Sequence, residues 1–148
     1  MEVSKSTNLQ ILFVDDDTDE LMIFHEALNE LATTYQVTHI LNCEGLEYFF
    51  ESADFLPDVI FLDINMPGIN GMDCLKMIRD KSDYKTVPIF MYSTSSNKHH
   101  IQQSRESGAD LYIVKQSSFN KTKMIFQTVF STLQHHTFNL LKERFVLP

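Results

Sequence analysis

The sequence predicts an α/β fold in which an open parallel sheet is covered by helices on both faces. Two observations carry this reading. Short apolar segments alternate from end to end with longer amphipathic ones, and one of the short segments, Val59-Ile60-Phe61-Leu62, is wholly apolar, as a strand covered on both sides must be. The chain has 148 residues, 43% of them hydrophobic, enough for one domain with a substantial core.

The first strand is Leu9 to Val14. Leu21, Phe24, Leu28 and Leu31 then recur at helical spacing, with Thr18 or Asp17 as the N-cap oxygen. Tyr35 to Leu41 alternates polar and apolar residues and reads as an edge strand with one wetter face. Asn42 caps a second helix whose core face is Leu46, Phe49 and Phe50, and Pro57 closes the connection to the central strand.

The loop from Asp63 to Asn70 contains Pro67 and Gly68. Gly71 opens a third helix that turns Met72, Leu75 and Ile78 inward. Pro88 to Ser93 forms the fourth strand, and Ser95, Ser96 or Asn97 caps the fourth helix, which Gly108 ends. Leu111 to Val114 is the fifth strand. The fifth helix runs from about Ser118 to His135, with Met124 or Ile125 and then Phe126, Val129, Phe130 and Leu133 near the core. This divides the chain into an N-terminal tail (1–8), one domain (9–135) and a C-terminal tail (136–148). In that last tail Phe138, Leu140, Leu141, Phe145 and Leu147 are expected to pack as a helical extension, with a dimer or partner contact as the alternative.

A formal net charge of −8 disfavours direct DNA binding, since contact with a phosphate backbone relies on Lys and Arg. Cys43 and Cys74 lack the spacing of a disulfide framework or zinc site and are read as buried, reduced thiols. Residues 1–8 are polar and no apolar run approaches the roughly 20 residues that span a bilayer, so a cytoplasmic protein without a membrane segment is expected. The His99-His100 and His135-His136 pairs are read as solvated, because adjacent residues point to different faces of a helix.

Ligands of open parallel sheets bind beyond the carboxyl ends of the strands. Asp15, Asp16 and Asp17 follow the first strand, Asp63 closes the third, Ser93 and Thr94 close the fourth and Lys115 follows the fifth, so acid, hydroxyl and ammonium meet at one rim. Clustered carboxylates repel unless some protonate or a cation neutralises them, and Mg2+ with its preference for oxygen is the simplest cation. Lys115 can hold phosphoryl oxygens or the Asp63 carboxylate, and Ser93 can donate to the same group, which makes this a phosphoryl-transfer site.

Four segments, "ILFVDDD", "PDVIFLDINMPGINGMD", "PIFMYST" and "GADLYIVK", together resemble the signature segments of response-regulator receiver domains over residues 9 to about 134. The resemblance implies a flavodoxin-like (βα)5 doubly wound sheet of strand order 2-1-3-4-5. It makes Asp63 the phosphoacceptor, Asp16 a direct Mg2+ ligand, Asp15 an acid acting through water, and Asn65 a ligand through its backbone carbonyl. Ser93 is then the switch hydroxyl, Tyr112 the switch aromatic and Lys115 the family's lysine. It also implies a histidine kinase or histidine phosphotransfer protein as donor, and a readout face formed by the fourth helix, fifth strand and fifth helix.

The expected role is a stand-alone regulator that signals through protein contacts and is not an enzyme in the ordinary sense, although it carries self-phosphorylation and self-dephosphorylation chemistry. A phosphorelay intermediate or a phosphate sink is the alternative. One departure stands out: receivers usually follow the lysine with proline, often through a cis bond, and here Gln116 follows. Because a cis bond to a non-proline residue costs about 2.5–4 kcal/mol, the Lys115–Gln116 bond is either trans with a rearranged loop or strained cis. Two other readings carry less weight. An EF-hand loop at Asp15, Asp17, Asp19 and Glu26 has Glu20 where its turn glycine belongs, and a haloacid dehalogenase phosphatase would have Thr or Val at Asp19 and an acidic pair after Lys115.

Overall fold

A computed structural model describes residues 8–31, 34–66, 68–134 and 138–147. Its sheet contains β1 (Leu9–Val14), β2 (Tyr35–Ile40), β3 (Val59–Asp63), β4 (Ile89–Ser93), β5 (Leu111–Val114) and β6 (Val146–Leu147), all parallel, in the order β2-β1-β3-β4-β5-β6. The helices are α1 (Glu20–Asn29), α2 (Cys43–Ser52), α3 (Gly71–Arg79), α4 (Lys98–Glu106), α5 (Phe119–Gln134) and α6 (Phe138–Arg144). The expected order of the first five strands is present, with a sixth strand added.

Alternation along each strand feeds two cores, one per face of the sheet. Leu12, Val14, Ile60 and Leu62 join Leu46 of α2 and Met72, Leu75 and Ile78 of α3. Ile11, Phe13, Val59 and Phe61 join Phe24 of α1 and Phe126, Val129 and Phe130 of α5. The second core is rich in rings: Phe24 stacks on Phe126 at 4.1 Å and meets Phe13 and Phe61 edge-on at 4.5 and 4.8 Å, the edge-on pairs having the geometry that aromatic quadrupoles favour. Helices α1 and α5 are thereby locked together beneath the ends of β1 and β3. Ile125, not Met124, turns toward this core, while Met124 is exposed.

Local chemistry fixes most boundaries, those at Asn42, Asn97 and Gly108 among the expected positions and that at Asn70 in addition. Asn42 accepts from the Gly45 amide at 2.8 Å, Asn70 from that of Asp73 and Asn97 from that of His99. Gly108, at φ 103°, ends α4 in the left-handed region. Helix α1 departs from expectation: Asp19 holds the cap position without a side-chain cap bond, and Asp17 accepts the Asp19 amide instead. No cis peptide occurs among the described residues, so the Lys115–Gln116 bond is trans.

The C-terminal tail differs from a simple helical extension. Helix α6 packs Phe138 and Leu141 against the phenylalanine-rich core, Phe145 takes φ 67°, and the chain then runs as β6 beside β5. Phe145 and Leu147 enter opposite cores. The helical spacing of Phe138, Leu141 and Phe145 is real, but two residues of strand are too short to show alternation, and only pairing with β5 reveals them.

Candidate functional site

The order of strands reverses between β1 and β3, and the crevice beyond their carboxyl ends collects the acids. Ligand oxygens of Asp15, Asp16 and Asp63 lie within 4.8 Å of one another. Asp15 is fully buried and Asp63 is 6% exposed, whereas Asp16 faces solvent. Asp15 Oδ1 accepts the Asp17 amide at 2.9 Å, and Asp63 Oδ1 accepts the Asn65 amide at 3.3 Å, so each loop holds its own acid.

Lys115 enters from the end of β5, where its amide donates to the Ser93 carbonyl at 2.7 Å. Its Nζ lies 3.2 Å from Asp15 Oδ2 and 3.8 Å from Asp63 Oδ1. One ammonium therefore faces two buried carboxylates and a third at the surface. Burial pushes the Asp63 carboxyl up to about 6 and the charge of Asp15 adds to this, against the opposing pull of Lys115 and the Asn65 amide. Asp15 is also raised by burial, opposed by the Asp17 amide and Lys115. The cluster remains short of positive charge, and its oxygen-only donor set suits a hard divalent cation.

The hydroxyl residues are near but engaged elsewhere. Ser93 is fully buried and its Oγ accepts the Ser95 amide at 3.1 Å; Thr94 is exposed. Tyr112 is fully buried, with its hydroxyl donating to the Ser95 carbonyl at 2.7 Å, which links β5 to the loop after β4. Asn65 is exposed beside Asp63. Among the described residues only the aspartates group as potential metal ligands; His100 instead meets Ser95 Oγ at 2.9 Å, and His135 and His136 lie outside the described residues.

Three neighbours escaped sequence reasoning. The Lys115 ammonium rests 4.8 Å from the centre of the Tyr92 ring, whose hydroxyl donates to Glu20 at 2.9 Å. His39 Nε2 donates to the Asp15 carbonyl at 2.7 Å. Tyr92 pairs in register with Asp63 across β3 and β4, a relation that only strand pairing exposes.

A family model described as the response regulator receiver domain matches residues 11–127. Chemotaxis protein CheY1 of Helicobacter pylori is 31% identical over 107 residues, covering 72% of this chain and 85% of that protein. Chemotaxis protein CheY-3 of Vibrio cholerae is 29% identical over 135 residues, covering 90% of this chain and all of that protein. Among solved structures, the phosphorylated cyanobacterial phytochrome response regulator RcpA superposes with a TM-score of 0.79 at 23% identity, over 86% of this chain and 95% of that one.

Proposed function

The chain belongs to the response regulator receiver domain family of two-component signalling, and on that premise we propose that Asp63 accepts a phosphoryl group. The observation that carries this reading is the position of Asp63 at the end of β3, buried beside Asp15 and within 3.8 Å of the Lys115 ammonium. A carboxylate oxygen of Asp63 attacks the phosphorus of a phosphohistidine on a histidine kinase or histidine phosphotransfer protein. The P–O bond forms, the P–N bond breaks with its electron pair going to nitrogen, and the imidazole, protonated beforehand on its other ring nitrogen, leaves neutral. Positioning and charge neutralisation carry most of the rate.

Asp15, Asp16, Asp63 and the Asn65 backbone carbonyl are the groups that would hold Mg2+, which when bound supplies positive charge to offset that of the phosphoryl oxygens. Lys115 holds one of those oxygens as a point charge. Ser93, released from the Ser95 amide, donates to another. Tyr112 reports the change to the surface at α4, β5 and α5, where a downstream protein reads it. The domain signals through such contacts in the cytoplasm, with its own phosphorylation and dephosphorylation as its only chemistry.

Phosphotransfer from candidate kinases and from a small phosphoramidate, with and without Mg2+, tests this. Mg2+-dependent label on the wild type and none on Asp63→Asn is expected. Label that persists in Asp63→Asn overturns the assignment. Return of the phosphoryl group to a histidine partner would mark a relay intermediate, and rapid loss to water with no target bound would mark a sink.

A further inference from the structure

The edge of β5 that a five-stranded receiver would leave open is already occupied by this chain. The Tyr112 amide donates to the Phe145 carbonyl at 2.8 Å, and Tyr112 is the register partner of Val146, so both side chains lie on the same face of the sheet. Phe145 is 3% exposed in the same core as Tyr112, and Val146 packs against that core. The direction along the sheet from Tyr112 toward the edge is therefore filled. Two further ties hold the segment down: Lys142 lies 3.1 Å from Asp110, and the Arg105 guanidinium sits 5.2 Å from the centre of the Phe145 ring.

We infer that the α6–β6 segment is a positioning element of the phosphoryl site, acting through Tyr112. Val146 and Phe145 hold the Tyr112 ring inward, where its hydroxyl reaches the Ser95 carbonyl, and the ring cannot swing past the edge of β5 unless β6 lifts. The inference rests on the receiver reading, in which Ser93 moves to the phosphoryl group and Tyr112 fills the space it leaves. Docking of β6 thus favours the arrangement that the phosphorylated state requires, and by thermodynamic reciprocity phosphorylation tightens the docking. A partner then meets α6 and the outer edge of β6 in place of a bare β5.

The hydrogen-bonded Tyr112 amide gives a direct readout, because it exchanges with solvent only when β6 lifts. The experiment measures hydrogen exchange at this amide by NMR in the full chain, with Mg2+ alone and with Mg2+ and beryllofluoride. Beryllofluoride affinity is measured in parallel. Beryllofluoride is expected to slow Tyr112 exchange by about 5-fold or more, the lower end of usual couplings. Phe145→Ala is expected to speed exchange and weaken beryllofluoride binding by about the same factor, and Phe145→Tyr, which keeps the ring, to restore both. Lys142→Ala with Arg105→Ala removes surface ties only and serves should Phe145→Ala fold poorly; it is expected to shift both readouts the same way.

Tyr112 exchange that beryllofluoride leaves unchanged while it saturates Asp63 would overturn the inference. So would a variant whose Tyr112 amide exchanges fast with unaltered beryllofluoride affinity. In both cases the receiver reading stands, whereas wild type that binds no beryllofluoride with Mg2+ present would overturn the receiver reading and the coupling together.

Discussion

Lys115 lies closer to Asp15 than to Asp63, at 3.2 Å against 3.8 Å, so the ammonium occupies part of the charge field that a divalent cation would use. Lys115→Met removes that competitor. Mg2+ is expected to bind Lys115→Met at pH 8 at least about tenfold more tightly, as expected for loss of a unit charge within a few ångströms. Phosphorylation by a small donor should slow on the order of 100-fold, the usual cost of one lost oxyanion partner. Calorimetric titration and a phosphorylation time course measure the two effects; Mg2+ affinity that falls or stays level would show that the lysine does not compete.

Asp63→Asn should stabilise the fold in EDTA at pH 7.5. The folded-state pKa of about 6 exceeds the ordinary 3.8, so the folded protein keeps a proton that the unfolded chain gives up. That contribution is full below the ordinary value and is lost as pH rises through about 6, above which the buried charge is a cost. The variant should therefore melt about 2–8 °C higher at pH 7.5, for a gain of roughly 1–3 kcal/mol, and show no advantage near pH 4. An equal gain at both pH values would refute the electrostatic origin.

Gly71 is fixed by its close approach to the backbone of Asp63 and Ile64. A Cβ there would overlap the Asp63 carbonyl oxygen and come within 2.6 Å of the Ile64 Cα, both backbone atoms unable to give way cheaply. Helix propensity alone would favour Gly71→Ala by about 1 kcal/mol. Overpacking should win, and the variant is expected to lose about 1–3 kcal/mol in urea unfolding and to phosphorylate more slowly. A more stable Gly71→Ala would show that α3 shifts freely from β3.

Arg79 works at the far end of α3. Its guanidinium donates to the carbonyls of Gly108, Tyr84 and Val87 and pairs with Asp110 at 2.8 Å, which in turn accepts the Ile89 amide. Arg79→Met removes this donor from the three carbonyls and leaves Asp110 to the Ile89 amide and the Lys142 ammonium. A loss of about 2–4 kcal/mol is expected, with Mg2+ affinity unchanged. A large loss of Mg2+ affinity would tie this network to the site.

The sequence by itself determined the five alternating units, the order of chemistry along the rim, the cap at Asn42 and the stop at Gly108; it left Asn97 as one of three cap candidates and did not mark Asn70 as a cap. Each of these rests on local rules: burial on two faces demands unbroken apolar runs, and caps demand short polar side chains or a free φ. The placement of Asp15, Asp16, Asp63, Ser93 and Lys115 at strand ends was legible for the same reason, since each follows or closes a strand. The tertiary structure alone decided what Lys115 rests on, because Tyr92, Glu20 and His39 reach the site through strand pairing and helix packing that carry no mark in their own segments. It also decided the fate of the C-terminal tail. Val146 and Leu147 become a strand only because the edge of β5 offers unpaired amides and carbonyls, and Phe145 adopts a left-handed backbone that its residue type does not announce.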